Sequence, residues 1–142
     1  MTGRHVYEYA LLRVVPRAER GERINAGVIV YCRAASLVTA RTELDEARLR
    51  ALDPDADTEG VRAALRAVED VCRGGPAAGP AAGDDAGRRF RWLVAPRSTV
   101  VRPGPVHTGL TADAAAEAER LLDLLVRRTA APPEGRPLPP TA

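Results

Sequence analysis

Arg88–Thr111 reads RRFRWLVAPRSTVVRPGPVHTGLT and gathers the only Trp, the only Phe, one of the two His and five arginines. No other stretch of the chain is as dense in chemistry, and the fold turns on how it is read. Alternation of Arg with Phe90 and Trp92 predicts a strand over residues 90 to 94, since successive residues of a strand face opposite sides. Pro96 then bends the chain. Residues 98 to 102 read as a second strand with a polar start, followed by a Pro- and Gly-rich loop that delivers Thr111 as the cap of a helix.

Upstream of this stretch the pattern is simpler. Val6–Val15 (VYEYALLRVV) is rich in β-branched and aromatic residues and stops at Pro16, which reads as a first strand. Ile24–Cys32 (INAGVIVYC) gives a second, antiparallel to the first, and Gly27 inside it signals a bulge or a close backbone approach. Ser36–Thr42 alternates polar and apolar residues as a third, half-exposed strand. Leu44, Asp45 and Leu49 form a hydrophobic staple around an Asp cap, so a short helix runs to Leu52. Asp57 or Thr58 caps a longer helix in which Val61, Ala64, Leu65, Val68, Val71 and Cys72 recur at helical spacing.

Residues 74 to 87, GGPAAGPAAGDDAG, are too poor in large apolar groups to pack and read as a flexible surface loop. After Thr111, Ala114, Ala118, Leu121, Leu122 and Leu125 mark a last amphipathic helix. Residues 130 to 142 are Pro-rich and read as a disordered tail. The expected architecture is one α+β domain over residues 1 to 129, with a mostly antiparallel sheet of four to five strands covered by about three helices.

Composition narrows the function classes. The chain has 142 residues and 45% hydrophobic content, enough for a single core. All 21 basic residues are Arg, and 19 acidic residues leave a net charge of +2, which disfavours a dedicated polyanion binder. The absence of Lys excludes a P-loop, whose Lys must reach the phosphates. Cys32 and Cys72 stand alone, with neither a C-x-x-C spacing nor a signal peptide nor a transmembrane run, which suits two buried thiols in a cytoplasmic protein that uses no membrane.

Arg97, Ser98, Thr99, Arg102 and His107 place cations, hydroxyls and an imidazole within a dozen residues, a set suited to an anion. Glu22 and Asn25, at the entry to the second strand, are candidate neighbours, or else a network that pins the hairpin. His107 would be the acid or base if the protein were an enzyme, but no nucleophile elbow or orienting acid accompanies it. Neither His lies at ligand spacing with Cys or a carboxylate, so no metal and no cofactor are expected. Arg88–Trp92 interleaves cations and aromatics as a single-stranded nucleic acid surface would. Core packing of Phe90 and Trp92 is the simpler reading.

Two blocks, VYEYALLRVVPRAERGERINAGVIVYC and RFRWLVAPRSTVVRPGPVHTGLTAD, together with the LLDLLV helix, resemble the DUF3037 family of small bacterial proteins of undetermined activity. The resemblance leaves out residues 74 to 87 and the tail. It maps onto Glu22, Asn25, Gly27, Arg97, Ser98, Thr99, His107 and Gly109, and implies a protein partner, with a HipA-like kinase the one it suggests. The expectation is therefore a non-enzymatic interaction protein with an anion- or protein-binding surface. The alternatives are a small enzyme on a phosphorylated or carboxylated substrate, with Arg97 and Arg102 as clamps, and single-stranded nucleic acid binding. A homodimer through the edge at residues 98 to 102 is left open.

Overall fold

A computed structural model describes residues 3–127, so the Pro-rich tail lies outside the described residues. The elements run β1 (His5–Val14), β2 (Ile24–Cys32), β3 (Leu37–Thr42), α1 (Glu46–Leu52), α2 (Thr58–Arg73), a 3₁₀ segment (Gly75–Ala81), α3 (Ala86–Leu93), β4 (Val101–Pro103), β5 (His107–Thr111) and α4 (Ala114–Leu125). The fold is α+β, with every strand pairing antiparallel. The order is β3-β2-β1, and the far edge of β1 is shared by β4 and β5 in tandem.

Helices cover both faces of this sheet. On one side α1, α2 and α3 pack Leu49, Val61, Leu65 and Phe90 against Leu12, Val14, Ile24, Ile29 and Val38. On the other, α4 lays Ala118, Leu121 and Leu122 on Tyr7, Val28, Val30 and Cys32. This explains the apolar run of β2, where no residue is exposed: a strand covered on both sides has no polar face to show.

Gly27 carries the irregularity expected of it. Leu12 pairs with Gly27 but Arg13 pairs with Asn25, so Ala26 is the extra residue of a bulge. The close approach is present too, since a Cβ on Gly27 would lie 2.9 Å from the Arg41 carbonyl oxygen and 3.1 Å from a Leu12 methyl.

Five local expectations are corrected. Residues 86 to 93 form a helix, not a strand. The Asp85 side chain caps it by accepting from the Arg88 N–H at 2.8 Å, and Ala86, Phe90 and Leu93 recur at helical spacing on its buried face. Residues 74 to 87 are not bare loop. They hold two 3₁₀ turns kinked at Gly79, φ 59°, which bury Ala78 and Ala81, small enough to pack close to α2. His107–Thr111 is a strand paired with His5–Tyr9, where a loop was expected. The cap of α4 is Asp113, accepting from Ala116 N–H, while Thr111 Oγ1 accepts from Asp113 N–H one step earlier. The strand expected over residues 98 to 102 is shorter and shifted: residues 98 to 100 are not strand, Val101–Pro103 pair with β1 of their own chain, and Val15 N–H donates to the Val100 carbonyl at 2.8 Å.

Candidate functional site

Trp92 leaves the core because α3 is a helix. Phe90 is 0% exposed and stacks on Tyr31 with ring centres 5.2 Å apart, and Trp92, two residues on, is turned outward at 51% exposure. There it forms the rim of a groove of about 580 Å³ between α2 and the segment that runs from α3 to β4. The floor is apolar, built from Val61, Ala64, Val68 and Val71 of α2 together with Leu93 and Val101. Arg97 stands over Trp92, its guanidinium carbon 5.0 Å from the ring centre, and is held there by the Trp92 and Ala95 carbonyls. Asp53, Asp55 and Asp57 also line the groove and give it acidic side chains. Asp53 is buried, accepts from the Asp55 N–H at 3.0 Å and lies 3.7 Å from Arg17.

The seven residues singled out from the sequence divide between the two faces of the sheet and a loop. Arg97 and Thr99 line the groove, with Thr99 Oγ1 donating to the Val101 carbonyl at 2.7 Å, and Ser98 is exposed between them. Arg102 and His107 share the opposite face, on the side of α4: Arg102 sits across from Arg13, and His107 across from Tyr9, with ring centres 5.3 Å apart. Asn25 is on this face as well, paired with Arg13, and its Nδ2 donates to the Leu125 carbonyl at the end of α4 at 3.0 Å. Glu22 is paired with Arg20 in the β1–β2 loop.

Arg13 is the member that sequence reading passed over. It stands between Asn25 and Arg102 in the register, and burial, followed by the nearby Arg23, lowers its pKa. The available signal was a lone Arg between Leu12 and Val14 in the apolar second half of β1.

The basic and aromatic run of Arg88–Trp92 does not make one stripe. Arg89 Nη1 donates to the Val71 and Cys72 carbonyls and closes the end of α2, and Arg91 donates to both carboxylate oxygens of Glu8 at 2.9 and 2.8 Å. Both cysteines are free and buried, and burial pushes the Cys72 thiol up to about 12. Among the described residues no group of three or more His, Cys, Asp or Glu side chains is placed to hold a metal, and no helix is long and apolar enough to cross a membrane.

No curated protein and no solved structure matches the chain. One family model does, that of a protein of unknown function, DUF3037, and the matched residues 9–126 include the segment from 74 to 87 that the resemblance had left out. With most of its length inside that match, the chain belongs to the DUF3037 family.

Proposed function

We propose that this protein is a non-enzymatic interaction module whose groove between α2 and the α3–β4 segment receives an amphipathic segment of another protein. The observation that carries the reading is Trp92, half exposed at the rim of an apolar groove with Arg97 stacked on it. Trp and Arg are the residue types that most often dominate binding energy at protein interfaces, and a rigid aromatic on a concave apolar floor is the usual anchor. Asp53, Asp55 and Asp57 favour a segment that carries basic residues beside its apolar anchors. The HipA-like kinase suggested by the family resemblance is the first partner to try.

The enzyme alternative needs Arg97, Arg102 and His107 around one substrate. Their division between opposite faces of the sheet favours binding over chemistry.

Trp92 is the only Trp, so its emission reports directly on the groove. Titration with a purified HipA-like kinase should shift that emission to the blue as the ring is desolvated. Ala67→Glu, which adds a charge to the groove lining at an exposed helix position, should weaken the complex about tenfold or more. Binding that leaves the Trp92 emission unmoved and survives Ala67→Glu would remove the groove from consideration.

A further inference from the structure

The opposite face of the sheet holds an unbalanced cluster of cations. Arg13 of β1 and Arg102 of β4 are direct cross-strand partners, so both side chains rise from the same face with their Cβ atoms about 5 Å apart. Arg23, at the entry to β2, lies two residues before Asn25, the β2 partner of Arg13, and its charge adds to the lowering of the Arg13 pKa. Among the described residues no carboxylate comes within 4.0 Å of any of the three.

Hydrogen bonds do not compensate. Arg102 Nε donates to the Thr99 carbonyl at 2.8 Å, which fixes the side chain and leaves its terminal nitrogens unbonded to described residues. The buried Nε of Arg13 has no partner. Gly104 lies flush against that guanidinium, since a Cβ there would be 2.9 Å from Arg13 Cζ. The Leu125 carbonyl accepts from Asn25.

Such an arrangement is costly. Like charges directly opposite on a sheet repel, and a partly buried cation without a counter-charge loses hydration with nothing in return. Unpaired arginines elsewhere, such as Arg48, Arg50 and Arg66, stand singly on helices, whereas Arg13 and Arg102 are held directly opposite each other on one sheet face. An external anion would remove the imbalance. A carboxylate offsets one positive charge of three, whereas a phosphate monoester carries close to −2 and presents oxygens on several sides to forked donors.

We infer that Arg13, Arg102 and Arg23 form a receptor for a phosphate monoester, with the two cross-strand guanidiniums gripping its oxygens and Arg23 closing the shell. The site lies across the sheet from the groove and is independent of it. A free phosphate ester and a phosphorylated side chain of a partner present the same group.

The test uses the full chain in calorimetric titrations at low, matched ionic strength, with inorganic phosphate, acetate and a phosphoserine peptide. Phosphate should bind measurably more tightly than acetate. Arg102→Gln should weaken phosphate about tenfold or more, while Arg66→Gln, the same charge change at an exposed helix position, should leave it unchanged. Gly104→Ala keeps every charge but displaces the Arg13 guanidinium, and should also weaken binding. A peptide that binds more tightly than inorganic phosphate would identify a phosphoprotein as the source, and equal affinities a free ester. Phosphate no tighter than acetate, or equal losses in Arg102→Gln and Arg66→Gln, would overturn the site. Ala67→Glu should not alter phosphate affinity, which keeps this result separate from that of the groove.

Discussion

Gly27→Ala is the most direct perturbation of the framework that presents both surfaces. The added methyl would sit 2.9 Å from the Arg41 carbonyl oxygen, 3.0 Å from Thr42 Cγ2 and 3.1 Å from Leu12 Cδ1. The first of these is backbone of the paired strand β3 and cannot swing aside, and Leu12 is a fully packed core side chain. Overpacking of this kind costs about 1–3 kcal/mol. For a domain of this size each kcal/mol lowers the melting temperature by about 3–5 °C, so a drop of roughly 3–15 °C is expected. Backbone strain plays no part, because Gly27 is not in the left-handed region. Gly83 provides the control: nothing lies within 4 Å of its would-be Cβ and its φ is not positive, so Gly83→Ala should be neutral or stabilising by up to about 1 kcal/mol. Differential scanning calorimetry on both variants reads the contrast. Equal melting temperatures for Gly27→Ala and wild type would mean that β3 can shift away, and that the close approach is not a constraint.

Phe90→Ala should cost about 3–5 kcal/mol and Trp92→Ala less than about 1, since the first empties the core and the second an exposed rim; comparable losses in urea titrations would indicate that both rings pack on one face, as in a strand. Burial raises the Cys72 thiol from 9.0 to about 12, so the unfolded chain releases this proton first and stability falls as pH climbs above about 9. Urea midpoints near pH 8 and near pH 10 should therefore fall further in wild type than in Cys72→Ala, by at most about 1.4 kcal/mol per pH unit, and equal falls would show a solvated thiol. Gly109→Ala would bring a methyl within 2.7 Å of the Tyr7 ring, which is buried under α4, and should lose about 1–3 kcal/mol. In a Tyr7→Leu background that loss should shrink, and an unchanged loss in a double-mutant cycle would place its cause elsewhere.

Much of the fold was legible because burial writes a simple period. The β1–β2 hairpin, α2 and α4 each show apolar residues at the spacing their geometry requires, and the Gly27 bulge was visible as a hole in a strand pattern. The segment from Arg88 to Val94 was misread because a short run of alternating arginines and aromatics fits both periods. Over eight residues the helical pattern Ala86, Phe90, Leu93 is no stronger than the strand pattern Phe90, Trp92, and only the Asp85 cap separates them. That one ambiguity moved Trp92 from the expected core to the rim of the groove.

The candidate site was harder to see, for a different reason. Arg97, Ser98, Thr99, Arg102 and His107 are close in sequence, but sequence proximity along an extended segment distributes side chains to alternate faces. Val101 packs on the α2 side of the sheet and Arg102 rises from the other side, so the run divides at a single peptide. What brings Asn25 and Arg102 to the same place is Arg13, a residue about ninety positions from Arg102 and twelve from Asn25, through two ladders on opposite edges of β1. The bulge at Ala26 sets that register. With an unbroken β1–β2 ladder, Arg13 would pair with Ala26, and the polar residue facing it would be displaced by one position to the other side of the sheet. The close packing at Gly27 and the pairing of Asn25 with Arg13 are thus parts of one local geometry, so a Gly27 substitution that preserves the fold but slips the β1–β2 register should displace Arg23 and Asn25 relative to Arg13, leave the Arg13–Arg102 pair of the β1–β4 ladder in place, and weaken phosphate binding only through Arg23.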